Sequence, residues 1–176
     1  MLMRAMAFAA EKHRHQRRRD AKASPYINHP IALASLLANE GGVEDVTVLC
    51  AAILHDTVED TETTREELAQ LFGADVAAIV MEVTNDPALS RGAQKQAQID
   101  HAPHLSPGAK LVKLADKISN LSDILESPPD WPVDRKQAYF DQAAQVVDGL
   151  RGVSPALETV FDSVMQRRAE LESRRA

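Results

Sequence analysis

Cysteine is almost missing from this 176-residue sequence: Cys50 stands alone, so no internal disulfide can form and the fold must rest on packing. Cys50 lies among Val48, Leu49, Ala51 and Ala52, the setting of a buried, unreactive thiol. Aromatics are sparse, with one Trp, two Tyr and four Phe. No stretch approaches the ~20 apolar residues of a membrane span. The apolar start, Met1 to Ala10, is stopped by Glu11-Lys12-His13-Arg14 before a signal sequence is complete. Positive charge is also short, since 20 basic against 26 acidic residues leave a formal charge of −6. That balance argues against general nucleic-acid binding, and it requires any anionic substrate to be drawn in by a local basic cluster. Neither a glycine-rich phosphate loop nor a serine-nucleophile motif occurs. The expectation is a cytoplasmic protein with no nucleic-acid or membrane partner.

What the chain does have is Ala and Leu at helical spacing. The length suits one domain over 1–176. Leu2, Met6, Ala9, Ala10 and His13 open it as a helix, and a loop follows from Asp20 to Pro25. Pro30 suits a first helical position, with His29 in the turn before it and Ile31, Ala34, Leu37 and Ala38 on one side. Gly41-Gly42 ends that helix. The next starts near Glu44-Asp45 and carries Val46, Leu49 and Ile53. Thr64 and Glu67 read as a capping box. Leu68, Leu71 and Phe72 follow before Gly73, and Asp75 suits the cap of a helix bearing Val76, Ile79, Val80 and Val83. Residues 85–105 are polar, a short helix from Ala93 to Ile99 with some mobile loop. Ser106-Pro107 starts a helix striped by Leu111, Leu114, Ile118, Leu121 and Leu125. Helices over about 134–149 and 155–172 complete the chain. No segment alternates β-branched and polar residues long enough to demand a sheet. The predicted fold class is all-α.

Chemistry concentrates where the apolar run Val46–Leu54 meets His55-Asp56 and then Thr57-Val58-Glu59-Asp60. Imidazole nitrogen and carboxylate oxygen together suit Mn, Fe or Zn. At a helix end both side chains can turn toward one ion, and His29 and Asp116 are further candidate ligands. These four residues predict a metal-dependent phosphohydrolase. Glu59 and Asp60 follow His55 and Asp56 by one helical turn, so they can lie beside the ion and align or deprotonate an attacking water. The same residues also describe an ordinary acidic helix exit. Asp116 is equally open: on the wheel it lies opposite the leucine stripe with Lys113, Lys117 and Asn120, which suits a solvated face or the wall of a cleft. Arg17, Arg18, Arg19 and Lys22 form the chief basic cluster, close to Tyr26. Guanidinium planes stack on purines and clamp phosphates, so this cluster suits a nucleotide.

Three segments resemble a known family. They are Tyr26-Ile27-Asn28-His29-Pro30, His55-Asp56-Thr57-Val58-Glu59-Asp60-Thr61 and Lys113-Leu114-Ala115-Asp116-Lys117-Ile118-Ser119-Asn120-Leu121. Together they resemble the HD-type hydrolase domain of RelA/SpoT proteins, most closely its small, single-domain alarmone hydrolases of the metazoan SpoT-homologue type. Ala102-Pro103-His104, Ser106 to Lys110 and Tyr139-Phe140 extend the resemblance to about residue 150. It implies an all-helical fold and one divalent metal, Mn²⁺, held by His29, His55, Asp56 and Asp116. Glu59 and Asp60 would activate the attacking water. Arg18 and Arg19 would pack around guanine, Tyr26, Lys113 and Asn120 would hold the nucleotide, and Arg135 and Tyr139 would lie near its phosphates. The implied activity is removal of the 3′-pyrophosphate from (p)ppGpp, by a monomer or homodimer with no synthetase region. Two alternatives are a phosphatase acting on NADPH or another ribose-phosphorylated nucleotide, and a catalytically silent alarmone sensor. Small relatives carry more basic charge where this chain has Ser90 to Gln96, with only Arg91 and Lys95 charged and Gly92 weakening any helix.

Overall fold

Five helix starts in this chain are set by short polar side chains that accept an otherwise unpaired backbone N–H. The computed structural model describes residues 1–20 and 22–173. In it Asp45 accepts from Thr47 N at 2.8 Å and Thr64 from Glu67 N at 3.2 Å. Ser90, Ser106 and Ser154 accept from Ala93, Ala109 and Leu157 N at 3.3 Å each. The resulting helices are α1 (Leu2–Lys12), α2 (Asn28–Asn39), α3 (Val46–Leu54), α4 (Thr57–Asp60), α5 (Arg65–Phe72) and α6 (Ala74–Val83). They continue as α7 (Arg91–His101), α8 (Pro107–Glu126), α9 (Val133–Asp148), α10 (Pro155–Gln166) and α11 (Glu170–Ser173). Short 3₁₀ turns cover Ala102–His104 and Arg167–Ala169. Among the described residues there is no strand, only an isolated antiparallel bridge between Arg17 and Pro25. The all-α expectation holds.

Burial explains the layout. Every residue of α3 from Val48 to Leu54 is buried, and a helix apolar all round belongs inside a core. It packs against α1, α2, α6 and α8. The long α8 is the other spine, touching α2, α3, α6, α9 and α10, with Leu114, Ile118, Leu121 and Leu125 sealed from solvent. Each such side chain contributes about 1.5–3 kcal/mol on burial. Gly108 lets α8 approach α6, since a Cβ there would meet Ile79 Cδ1 at 2.8 Å. Gly73, at φ +98°, makes the turn between α5 and α6 that side chains resist. Cys50 is fully buried, and burial raises its thiol pKa.

Several expectations need correction. Helix α2 begins at Asn28, so His29 and Pro30 sit inside its first turn and both are buried. A proline is tolerated there because the first-turn N–H groups lack helical partners anyway. The buried face of α2 is His29, Leu33 and Leu37, whereas Ile31 and Ala38 are exposed. Asp75 does not cap α6, which starts immediately after Gly73. The carboxylate of Glu67 pairs with Lys12 at 3.3 Å instead of reaching back to Thr64. Residues 91–101 are helix throughout; Gly92 falls in the first turn, where its low propensity matters least. The last segment is α10, a 3₁₀ turn and α11, not one helix. Of the expected loop and of the domain over 1–176, Ala21 and residues 174–176 lie outside the described residues.

Candidate metal and nucleotide site

Because α3 is buried on all sides, the residues that end it emerge inside the molecule. His55 is its C-cap and Asp56 the next residue. The first turn of α2 delivers His29 to the same place, and α8 delivers Asp116. His29 Nε2 lies 3.2 Å from Asp116 Oδ1 and 3.9 Å from Asp56 Oδ2. His55 Nε2 lies 2.9 Å from Asp56 Oδ2 and 3.8 Å from Asp116 Oδ1. Donors about 2.1 Å from a shared ion are roughly 3.0 Å apart when adjacent and roughly 4.2 Å apart when opposite. All four separations fall close to that range. His29, His55 and Asp116 also offer ligand atoms all within 4.8 Å of one another.

Hydrogen bonding supports a cation here. His55 Nδ1 donates to Ala52 O at 2.9 Å, which turns Nε2 toward the cluster. That Nε2 is buried without a hydrogen-bond partner; its closeness to Asp56 lacks the alignment of a hydrogen bond. Ser119 Oγ lies 3.2 Å from His29 Nδ1, fixing the second ring in the same manner. Tyr26 donates to Asp56 Oδ2 at 2.6 Å, and Asn120 Nδ2 to Asp116 Oδ1 at 2.6 Å. Burial disfavours the Asp56 charge, but His55 outweighs it and holds the carboxylate well below its usual range. Asp116 is likewise held down against burial, first by His29 and then by Lys117. Burial also opposes the His55 imidazolium, yet Asp56 and then Asp116 push it up to about 9. The cluster thus favours positive charge at its centre, as a divalent cation would supply.

The acids of α4 stand at the entrance. Glu59 accepts from Asn85 Nδ2 and from Asn85 N, each at 3.0 Å. Asp60 is steadied through its carbonyl, which accepts from Gln16 Nε2 at 2.7 Å. Burial first, and the Asp56 charge second, raise the Asp60 pKa above the usual carboxylate value.

Two cavities meet here. An inner one of about 180 Å³ is lined by the four clustered residues together with Lys113 and Lys117. An outer one of about 590 Å³ is lined by Arg17, Arg18, Arg19, Asp60, Asp123 and Trp131 among others. Arg18, Tyr26, Glu59, Asn120 and Tyr139 border both, so they form two lobes of one cleft. Its size and division suit a nucleoside in the outer lobe and an anionic group in the inner one. The bridge at Arg17–Pro25 brings Arg18 and Tyr26 together, with the guanidinium 5.7 Å from the ring centroid. Arg18 also donates to Asn120 Oδ1 at 3.0 Å and pairs with Asp123.

The open question about Asp116 is answered by burial. Lys113 and Lys117 are buried, not solvated. Their Nζ atoms donate to Val83 O at 3.0 Å and to Gln98 Oε1 at 2.9 Å. Burial, reinforced by Lys113 and opposed by Asp116, brings Lys117 down to about 8. Arg19 is exposed on the outer rim. Tyr139 lies at the junction of the lobes, with the Lys117 ammonium 6.0 Å from its ring. Arg135 borders neither lobe; it stacks on Trp131 at 4.2 Å. Sequence reasoning missed Trp131, Asp123, Asn85 and Gln98. Only Trp131, the lone tryptophan beside a Pro-Pro break, carries a signal that could have singled it out.

A helical fold with a buried His/Asp cluster at the end of its central helix defines the class. The chain belongs to the HD-domain family, whose model matches residues 5–153. That family implies a divalent metal, and the cluster has the donors for one. Among curated proteins, guanosine-3′,5′-bis(diphosphate) 3′-pyrophosphohydrolase MESH1 of Danio rerio is 51% identical over 169 residues, covering 96% of this chain and 94% of the relative. The Homo sapiens protein of that name is 51% identical over 168 residues, covering 95% and 94%. A solved structure of a metazoan orthologue of SpoT that hydrolyses ppGpp superposes with a TM-score of 0.92 at 43% identity, covering 95% of this chain and 94% of that one.

Proposed function

We infer that this chain hydrolyses guanosine 3′,5′-bis(diphosphate), releasing the 3′-pyrophosphate. Near-full-length similarity to proteins named for that activity supports the reading. The observation that carries it is the cleft itself: an arginine- and tyrosine-walled outer lobe opening onto an inner lobe with clustered His and Asp and two buried lysines.

His29, His55, Asp56 and Asp116 would hold the ion; two imidazoles and two carboxylates suit Mn, Fe or Zn, and the resemblance to the alarmone hydrolases makes Mn²⁺ the choice among them. When bound, it supplies Lewis-acid stabilisation of charge on the pyrophosphate oxygens. Everything else falls to the chain. Arg18 and Arg19 flank the guanine, and Tyr26, Asn120 and Tyr139 line the passage to the inner lobe. Lys113 and Lys117 place positive charge beside the phosphates. Glu59 and Asp60 orient a water and take its proton as its oxygen bonds the 3′-linked phosphorus. The bond from that phosphorus to O3′ breaks, and O3′ is protonated as the nucleoside leaves. The products are GDP, or GTP from the pentaphosphate, and pyrophosphate. Arg135, stacked on Trp131, supports the wall of the outer lobe and not the phosphates, where the resemblance had set it. No described helix is long and apolar enough to cross a membrane, and a nucleotide substrate fits the cytoplasm.

Turnover on ppGpp, NADPH and a plain deoxynucleoside triphosphate, measured side by side with Mn²⁺, tests the reading. Preference for ppGpp is expected. Preference for NADPH would make the chain a ribose-phosphate phosphatase, and binding without turnover would make it a sensor.

A further inference from the structure

Glu59 is held by one neighbour, and that neighbour is itself held in one orientation. Asn85 gives the Glu59 carboxylate its backbone N–H and its side-chain amide, all at 3.0 Å. Asn85 Oδ1 accepts from Gln98 Nε2 at 2.8 Å. Gln98 Oε1 in turn accepts from Lys117 Nζ at 2.9 Å and from Gln142 Nε2 at 3.1 Å. The two ends set the direction of this chain of bonds. A carboxylate only accepts and an ammonium only donates, so each amide between them has one permitted orientation. Flipping either one would set two donors or two acceptors face to face. Gln98 is half-buried on α7 and gathers contacts from α8, α9 and the segment after α6.

We propose that Asn85 and Gln98 are positioning residues, forming a directed relay from Lys117 that fixes the orientation of the Glu59 carboxylate toward the attacking water. The relay rests on the reading of Glu59 as a water-orienting acid. It makes α7 part of the catalytic apparatus although no α7 side chain belongs to the His/Asp cluster. It also identifies what the polar 85–98 stretch does in a chain with little basic charge there.

Gln98→Glu separates this role from a structural one. The new carboxylate still accepts from Lys117 and Gln142, so the helices stay pinned. It has no N–H for Asn85, whose amide must then turn toward residue 98 and present its oxygen to Glu59. On purified Mn²⁺-loaded protein with ppGpp, kcat should fall roughly ten- to a hundredfold while melting temperature stays close to wild type; KM should rise, because residue 98 lines the lobe that takes the anionic group. Gln98→Leu, which removes all three hydrogen bonds, should lose kcat to a similar degree with a lower melting temperature. In a Glu59→Gln background, adding Gln98→Glu should cost kcat less than about twofold, because a reversed chain, from the amide introduced at position 59 through Asn85 to the carboxylate introduced at position 98, is again unbroken. Unchanged kcat in Gln98→Glu, beside an impaired Glu59→Gln, overturns the relay and leaves the role of Glu59 standing. Losses that multiply in the double variant overturn it too. Unchanged kcat in Glu59→Gln removes the reading of Glu59, and the relay with it.

Discussion

The Tyr26 hydroxyl donates to Asp56 Oδ2 across 2.6 Å, tying the loop after α1 to the residue that follows the buried α3. The ring is stacked on His13, 4.8 Å between centroids, so its position is set from behind. A hydrogen bond to a metal-ligating carboxylate orients the ligand and tunes its charge. Tyr26→Phe keeps the stack and deletes the hydroxyl's bond to Asp56, together with its contact to Asp60. Manganese affinity, measured by calorimetric titration, should weaken roughly tenfold or more. Unchanged affinity would remove Tyr26 from the metal site.

Asp60 stands beside the cluster with its carbonyl anchored and its carboxyl raised in pKa by burial and by Asp56. Asp60→Ala should leave nucleotide binding largely intact and lower kcat by about a hundredfold or more, the usual range for losing a positioned base. Equilibrium binding and single-turnover rates measured on one preparation check both halves. Full turnover in this variant would take Asp60 out of the chemistry.

The legibility of this site in the sequence follows burial. His55 and Asp56 end an apolar run, and a buried helix has to deliver its terminal residues inside. Asp116 is undecidable from the wheel because Lys113 and Lys117 share its face, and lysines there signal solvent. In the fold both are buried and satisfied by Val83 O and Gln98. The face of α2 is misjudged from sequence because His29 and Pro30 are core residues in that helix, which rotates the buried side from Ile31 to Leu33. Asn85, Gln98 and Asp123 are ordinary polar residues whose importance comes from contacts 13 to 105 positions away in the chain. No local pattern encodes such distances.

Arg18 is fixed by Asn120 and Asp123 while lying over Tyr26. A lysine keeps the charge but has neither the planar fork nor the stacking surface. Arg18→Lys should raise KM for ppGpp roughly tenfold with kcat within a factor of about three. Steady-state kinetics at fixed Mn²⁺ distinguish this from a general loss of activity, which would lower kcat instead.

Between pH 6 and pH 8 the stability of the metal-free protein should fall as pH rises. Burial opposes the His55 imidazolium, but Asp56 and Asp116 raise it to about 9, above the ordinary imidazole value of 6.5. A raised folded-state pKa gives stability that is complete below the unfolded value and is lost as pH rises through the folded one. Metal-free protein should therefore unfold at lower urea at pH 8 than at pH 6. Lys117, brought down to about 8, works in the opposite sense above that pH, so the comparison stops there. Mn²⁺-loaded protein should lose this decline, because the cation replaces the proton and adds stability by mass action. Identical urea midpoints for the metal-free protein at the two pH values would contradict the electrostatics assigned to the cluster.

Hydrolysis of ppGpp in ¹⁸O-labelled water by the Mn²⁺-loaded protein tests the central claim most directly. The account predicts GDP without label and pyrophosphate carrying one ¹⁸O, since water joins the 3′-linked phosphorus and the bond to O3′ breaks. Release of orthophosphate, or label retained in the nucleoside product, would contradict it.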